Sequence, residues 1–182
     1  MDRRERLLLP AILVLGLSLR LIHLNGRPLW YDEVYSILYA EMPLTAMWHG
    51  LTVDVHPLLY YSGLHVWMEV MGQQPWAVRL LSVLLGAATI FMVYLLARRL
   101  FGTHTGLVAA LITALAPFHV YYSQESRMYT LLGFAAVSTT YFLVRAWTDG
   151  GWSSWIAYAV AGALMLYAHN LGVLFLAGLG VW

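Results

Sequence analysis

The sequence predicts an all-α, polytopic membrane protein, and its composition and the spacing of its apolar runs support this. Of the 182 residues, 61% are hydrophobic and 10% are charged, and the mean hydropathy is +0.69. Soluble domains carry about 25% charged residues, so this composition excludes an ordinary soluble domain. Apolar runs long enough to cross a bilayer alternate with short polar segments that hold the charges. We therefore expect an integral, multi-pass membrane protein.

The first apolar run, residues 7–24, is expected to be a retained transmembrane helix. Its basic start, with three arginines in the first six residues, resembles a signal sequence, but the flank at 25–27 lacks a small-residue cleavage pattern. Positive charge favours the cytoplasmic side, so the N-terminus is predicted to be cytoplasmic and the helix to end on the outer face. Arg20, in the last turns, is expected to extend its charge to the outer interface.

Residues 25–74 are predicted to form one long outer loop that carries juxtamembrane helices. The apolar run 57–71 within it is short and holds two ionisable residues, which suits an interfacial helix. The next basic pair, Arg98-Arg99, ends the apolar run 78–97 and should be cytoplasmic. Two crossings therefore fit between the two cytoplasmic ends. A loop of this length is expected to be structured and to have a function.

The same charge rule predicts four further crossings after the helix at 78–97. They cover residues 106–121, 128–144, 155–168 and 171–182. The chain ends inside the last of these apolar runs, so we expect it to be the N-terminal part of a longer transmembrane domain.

Charged residues of both signs collect on the outer side of this topology. Asp32 and Glu33 directly follow the first helix, and carboxylates held at a membrane boundary indicate a functional site. The alternative is that Asp32 only caps the helical turn that begins at Glu33. Four of the ten arginines also lie on the outer side, against the usual trend: Arg20, Arg27, Arg79 and Arg127. An anion on the outer face would explain them.

The anion expected at that depth is a lipid phosphate, whose tail lies between helices while its head group reaches the interface. Arginine binds phosphate bidentately, and a neighbouring carboxylate would act as general base or metal ligand. A divalent metal on Glu33, His56 and Glu125 is conceivable, but no His-x-x-x-His spacing requires one, and cysteine is absent. The pattern predicts transfer chemistry on a lipid-linked substrate and indicates no nucleic-acid partner.

Five motifs, in order, resemble the N-terminal half of the GT-C glycosyltransferases. The branch that they resemble most is that of the dolichyl-phosphate-mannose protein mannosyltransferases and the bacterial lipid A aminoarabinose transferases. The resemblance covers nearly the whole chain and implies a GT-C-like transmembrane helix bundle in a bacterial or archaeal plasma membrane. The motifs are LWYDE at 29–33, HPLLYY at 56–61, RLLS at 79–82, YLLARRLFG at 94–102 and YYSQESRMY at 121–129.

The resemblance implies a membrane glycosyltransferase that moves a sugar from a polyprenyl-phosphate donor to an extracytoplasmic acceptor, which is a protein, a lipid or a glycan. Asp32 is then the catalytic base on the acceptor hydroxyl, and Glu33 is expected to orient the acceptor or to bind a metal. His56 and His169 also have structural alternatives, as a bond to backbone at a loop corner and as an interfacial histidine. The expected substrate-binding residues are His56, Tyr60, Arg79, Gln124, Glu125, Arg127, Tyr129 and His169.

Two other classes of membrane protein share this composition. A transporter or channel would place charges near helix midpoints, whereas the charges of this chain cluster in outer loops. A non-catalytic subunit that binds a lipid carrier would use the arginines and would have no need of Asp32. Substitution of Asp32 separates this subunit from an enzyme.

Overall fold

The computed structural model describes residues 3–49 and 57–180, and within these ranges the chain is helical. The predicted all-α fold is therefore confirmed for these residues. Ten helices lie in the described ranges, joined by short connections. They are α1 (Arg3–Leu21), α2 (Tyr31–Ala40), α3 (Leu44–His49), α4 (Leu59–Met71), α5 (Pro75–Phe101), α6 (Thr103–Leu115), α7 (Pro117–Ser123), α8 (Tyr129–Asp149), α9 (Trp152–Ala168) and α10 (Leu171–Gly180).

The length and apolar character of α5 are sufficient for it to cross a membrane. Helices α6 and α7 are long enough together, but they meet at an angle of 61°. Helices α9 and α10 are apolar but shorter. By length and composition the described residues thus hold one candidate span, or two if the bent pair counts as one; the six predicted crossings stay a prediction.

Helix α5 lies at the centre of the bundle, where it contacts α1, α4, α6, α7 and α8. Two groups of buried apolar side chains lie along it. The group near its N-terminal end joins α2 and α4 and includes Tyr60, Tyr61, Leu64, Val78 and Met128. The group near its C-terminal end joins α1 and α6 and includes Leu9, Ile12, Ile90, Tyr94 and Leu107.

Gly106 allows α6 to pack closely on α5. A Cβ atom at this position would lie 2.9 Å from Arg98 Cβ and 3.0 Å from the carbonyl oxygen of Tyr94. These distances are shorter than ordinary carbon contacts, so any larger residue would push the two helices apart. The small residues of the α6 run act here as expected for close helix packing.

The predicted single helix over 106–121 is two helices in the structure. Pro117 is the first residue of α7, and Ala116 before it is extended, with φ −60° and ψ 114°. Proline has no N–H to donate to the carbonyl four residues earlier, and its ring displaces that carbonyl, so the helix breaks. The break leaves the carbonyl oxygens of Thr113 and Ala114 without helical donors.

Arg20 supplies those missing donors, and the expectation that it extends to the outer interface is wrong. The side chain is fully buried. Its guanidinium donates to the carbonyl oxygens of Ala114 at 3.2 Å and Thr113 at 3.3 Å, and to Gly16 at 2.7 Å. Freed carbonyls in a membrane protein must find a donor inside the protein. Arg20 therefore turns inward from α1 to cap the broken end of α6.

Candidate active site

A buried ion pair between Glu33 and Arg79 joins α2 to α5. Arg79 Nε donates to Glu33 Oε1 at 2.8 Å, and Arg79 Nη2 donates to Glu33 Oε2 at 2.7 Å. Glu33 is completely buried and Arg79 is 2% exposed. A buried ion pair is retained only where further hydrogen bonds satisfy both partners.

Arg79 has those further bonds, and all go to backbone. Nη1 donates to the carbonyl oxygens of Leu24 at 2.8 Å and Arg27 at 3.0 Å, and Nη2 donates to Pro28 at 3.1 Å. Together with the two bonds to Glu33, these contacts use each of the five N–H groups of the guanidinium. None is left for a substrate, and the segment between α1 and α2 is fixed to α5.

Asp32 differs from its neighbour Glu33 in exposure and in partners. Its side chain is 34% exposed, and its Oδ2 lies 3.8 Å from Arg127 Nη2. The N-cap of α2 is Trp30, whose N–H donates to Glu33 Oε2 at 3.4 Å. The alternative in which Asp32 caps the helix is therefore wrong. Asp32 lies in the first turn of α2 with a partly exposed carboxylate.

Ser126, in the segment between α7 and α8, is hydrogen-bonded to Glu33 and lies next to Tyr60. Ser126 N–H donates to Glu33 Oε1 at 3.0 Å. The Tyr60 hydroxyl, on α4, lies 3.3 Å from Ser126 Oγ and 3.1 Å from Ser82 Oγ on α5. Tyr60 is 1% exposed. Four segments distant in sequence thus meet in one buried network around Glu33.

Arg127 reaches from this segment to α2. Its Nη1 donates to Ser36 Oγ at 3.2 Å and to the Asp32 carbonyl oxygen at 3.4 Å. Its guanidinium carbon lies 5.9 Å from the centre of the Tyr129 ring. Arg127 Nε is buried and has no acceptor among the residues that the structure describes. Unlike Arg79, Arg127 therefore has one N–H, that of Nε, without an acceptor in the ranges that the structure describes.

Glu125 faces a small cavity of about 130 Å³ between α2 and α7. It is 3% exposed, and its Oε2 has no hydrogen-bond partner within the described part of the chain. Burial raises the pKa of Glu125, because a charged carboxylate loses its solvation there. The cavity is lined by Arg27, Pro28, Trp30, Glu33, Arg79, Tyr121 and Glu125.

Comparison with known proteins shows the family to which the chain belongs. The family model described as dolichyl-phosphate-mannose-protein mannosyltransferase matches residues 55–181, more than half of the chain. The chain belongs to this family. It is also 26% identical over 140 residues to the "Putative mannosyltransferase YycA" of Bacillus subtilis (strain 168), which covers 70% of this chain. The chain spans about a fifth of the length of that relative, 20%. No solved structure matches it.

Membership of the dolichyl-phosphate-mannose-protein mannosyltransferase family confirms the resemblance drawn from the motifs, and it identifies a membrane-associated glycosyltransferase family. The matched range includes Tyr60, Arg79 and the segment at 124–129, but it begins after Asp32 and Glu33. The assignment of Asp32 and Glu33 to the candidate site therefore depends on their geometry and on the resemblance of the motif at 29–33.

Two of the remaining predicted site residues of this mannosyltransferase-family chain, Gln124 and His169, lie against the end of α1 and against Tyr129, respectively. The Gln124 side-chain amide donates to the carbonyl oxygens of Leu19, Arg20 and Ile22 at 2.8–3.3 Å, which fixes the segment to the end of α1. The His169 ring centre lies 6.2 Å from that of Tyr129, and its Nδ1 accepts from Leu171 N–H at 3.1 Å. His56 lies outside the described residues.

Three residues of the network were not predicted from the sequence: Ser36, Ser82 and Ser126. Serines are common in membrane helices, and only the fold shows which of them meet a site. In the described ranges, no group of three or more histidine, aspartate or glutamate side chains could hold a metal ion. Of the three residues considered as metal ligands, Glu33, His56 and Glu125, the first forms an ion pair with Arg79.

Proposed function

We propose that this chain carries the catalytic site of a membrane glycosyltransferase that takes its sugar from a polyprenyl-phosphate donor and delivers it to an extracytoplasmic acceptor. Family membership supports a lipid-linked donor. One observation supports the proposal most strongly: the partly exposed carboxylate of Asp32 lies next to Arg127. The buried ion pair of Glu33 and Arg79 fixes the start of α2, which carries Asp32.

Asp32 is the proposed general base. Its carboxylate takes the proton of the acceptor hydroxyl while the hydroxyl oxygen bonds to the anomeric carbon of the sugar. The bond from that carbon to the phosphate oxygen breaks, and polyprenyl phosphate leaves with the electron pair. Its 34% exposure supports this role, because a base must reach the proton that it abstracts. Glu33 has no such freedom.

Arg127 is the proposed ligand of the donor phosphate. The buried Nε has no acceptor within residues 3–49 and 57–180, and this supports the assignment, since a guanidinium donor left unpaired in a protein interior is costly. A phosphate oxygen would supply the acceptor and gain a charge-assisted bond. The adjacent carboxylate at 3.8 Å keeps Arg127 directed at the reacting end of the donor. Arg79, with every N–H used, is in our proposal a positioning residue.

The cavity beside Glu125 is the proposed subsite for a hydroxyl-bearing ring. Trp30 and Tyr121 offer aromatic surfaces, while Arg27 and Glu125 offer a donor and an acceptor. This mixture suits a neutral sugar better than a phosphate, because two carboxylates, Glu33 and Glu125, lie in the lining. Tyr60 and Gln124 hold the loop around the subsite.

We infer that the site lies on the outer side of a GT-C-like bundle, with a cytoplasmic N-terminus. The opposite end of the helices supports this orientation. There Arg98 pairs with Glu5 at 3.0 Å, and Arg99 pairs with Asp149. Arginines at that end agree with the positive-inside trend.

A donor-transfer assay on the full-length protein tests the function. Membrane vesicles from cells that make both the protein and its acceptor would be supplied with polyprenyl phosphate carrying a radiolabelled mannose. We expect the label to leave the lipid, and free polyprenyl phosphate to accumulate in equal amount. Donor binding without any loss of label would indicate the carrier-binding subunit instead. Lack of donor binding would contradict the proposal and favour the transporter or channel class.

A further inference from the structure

The motif YLLARRLFG at 94–102 lies at the end of α5 that is remote from the candidate active site. Arg99 follows Arg79 by about 20 residues, which is about 30 Å along a helix that rises about 1.5 Å per residue. The hydrocarbon core of a bilayer is also about 30 Å thick. Arg79 and Arg99 therefore lie at opposite surfaces of the membrane, and sugar transfer does not use the motif that holds Arg99.

The two adjacent arginines of this motif have different partners. Arg98 Nη1 pairs with Glu5 Oε1 at 3.0 Å, and the Glu5 side chain is 2% exposed. Arg98 is therefore neutralised by a carboxylate in the protein interior. Arg99 Nη2 instead donates to Asp149 Oδ1 and to Thr148 Oγ1, at the end of α8. The Asp149 side chain is 51% exposed, so this second ion pair lies at the surface of the bundle.

A further arginine shares the carboxylate of Asp149. Arg145 Nε lies 3.8 Å from Asp149 Oδ2, one turn earlier on α8, and the Arg145 side chain is 44% exposed. No other carboxylate in the described ranges forms an ion pair with Arg99 or Arg145. Two positive charges thus face one negative charge. The α5–α8 cluster, which consists of Arg99, Arg145 and Asp149, therefore has a surplus positive charge.

Arg99 also has an unused hydrogen-bond donor. Its Nε is buried and has no acceptor among the residues that the structure describes. A buried guanidinium donor without an acceptor is costly, and the oxygen of an anion would form a charge-assisted bond with it. The unused donor and the surplus charge of the α5–α8 cluster both indicate an anionic ligand.

Large apolar side chains next to the α5–α8 cluster are exposed. Phe101 on α5 is 71% exposed, and Trp147 on α8 is 55% exposed. The turn that follows Asp149 borders a cavity of about 400 Å³, lined by Gly151, Trp152 and Trp155. Tryptophan is enriched where the hydrocarbon of a bilayer meets the head groups. These surroundings favour an anion that carries acyl chains over a free phosphate or an acidic protein segment.

We propose that the α5–α8 cluster binds the phosphodiester head group of an anionic phospholipid, in the leaflet opposite the transfer site. The Nε–H of Arg99 donates to a phosphate oxygen, and Arg145 supplies the charge that Asp149 does not neutralise. The acyl chains lie along the exposed apolar side chains of α5 and α8. This lipid is neither donor nor acceptor of the sugar, so the proposal goes beyond the transfer reaction and does not depend on it.

Native mass spectrometry of the full-length protein in neutral detergent micelles tests this site. The probe is dioleoyl phosphatidylglycerol, compared with dioleoyl phosphatidylcholine, which has the same chains and no net charge. We expect one phosphatidylglycerol to bind about tenfold more tightly than phosphatidylcholine, because charge-assisted bonds to phosphate are strong. Arg99→Gln should remove this preference. Arg145→Gln, which leaves the pair of Arg99 and Asp149 in place, should lower it about threefold.

Arg6→Gln is the matched control. Arg6 is an exposed arginine of α1, next to the residue that pairs with Arg98, so this variant loses the same charge at the same end of the bundle. It should keep the preference for phosphatidylglycerol. An equal loss in Arg6→Gln and Arg99→Gln would contradict the proposal, because binding would then follow net charge alone.

Asp149→Asn distinguishes a lipid site from a purely structural ion pair. Asparagine no longer competes for the two arginines, so affinity for phosphatidylglycerol should rise about threefold. Unchanged or lower affinity in this variant would overturn the proposal, as would equal affinity of the wild type for the two lipids. Displacement of phosphatidylglycerol by an equal concentration of glycerol phosphate would also overturn it, since the ligand would then be a free phosphate ester.

Discussion

Ser126 N–H donates to Glu33 Oε1 at 3.0 Å, and this bond ties the segment before α8 to the start of α2. The residues next to these two, Arg127 and Asp32, are the ones whose charged groups face each other across the site. Glu33 and Ser126 are buried and fix the backbone, whereas their neighbours Asp32 and Arg127 are directed at the site. The relationship explains how the start of α2 and the segment before α8 hold a defined geometry.

Breaking the buried ion pair should destabilise the protein strongly. Glu33→Gln leaves the Arg79 guanidinium buried without its counter-charge, which typically costs about 3–5 kcal/mol. We expect the thermal unfolding midpoint in detergent to fall by roughly 10 °C. Glu69→Gln is the matched control, because that carboxylate is 68% exposed and should change the midpoint little. Equal midpoints for the two variants would refute a structural role for the pair.

Arg127→Lys should weaken donor binding while leaving the protein folded. Lysine keeps the charge but lacks the planar fork and the Nε–H that we assign to the phosphate. We expect a loss of affinity of about tenfold for polyprenyl phosphate, measured by titration in detergent micelles. Arg145→Lys, at an exposed arginine that pairs with Asp149, should bind normally. Unchanged affinity in Arg127→Lys would return this residue to a purely structural role.

Because of Glu125, the stability of the folded protein should fall as the pH rises above about 4.5. Its pKa in the folded protein is raised by burial above the ordinary value of 4.5, so the folded state binds more protons than the unfolded state just above pH 4.5. Stability contributed by this group is therefore present below pH 4.5 and falls as pH rises through the raised pKa. Glu125→Gln removes the titration. The unfolding midpoint of wild type relative to this variant should fall from pH 4.5 upward, whereas parallel curves would contradict a raised pKa.

The predicted topology can be measured with single cysteines, because the chain has none of its own. Cysteines at the exposed positions Glu41 and Gln73 should react with a membrane-impermeant thiol reagent from outside the cell. Cysteines at the exposed positions His104 and Ser153 should react only after the membrane is opened. Labelling at His104 in intact cells would reverse the assignment of the outer face.

The helices could be predicted because a run of apolar residues and the charges that flank it are visible in a short stretch of sequence. The apolar runs predicted helices, and the composition, with 61% hydrophobic and 10% charged residues, predicted a membrane protein. The break between α6 and α7 was missed, although Pro117 was visible in the sequence. The inward turn of Arg20 could not be read locally, since it depends on carbonyls freed 93 and 94 residues away.

The sequence predicts a set of residues for the candidate site, but it does not show how their roles divide. Asp32 and Glu33 are adjacent acids, and no local signal shows which one is buried. The difference arises from Arg79, 46 residues away, which pairs with Glu33. Likewise Arg79 and Arg127 look alike in the sequence, and only their hydrogen bonds show that one is fully used and the other is not.

The rate of sugar transfer by Asp32→Asn in the full-length protein tests the central claim most directly. Asparagine keeps the size of the side chain and cannot accept the proton, so the variant should still fold and bind donor. A general base contributes roughly 10²- to 10⁴-fold, and we therefore expect kcat to fall by at least about a hundredfold with donor affinity unchanged. Transfer at a near wild-type rate would contradict the account, and Glu125 would then be the carboxylate to test.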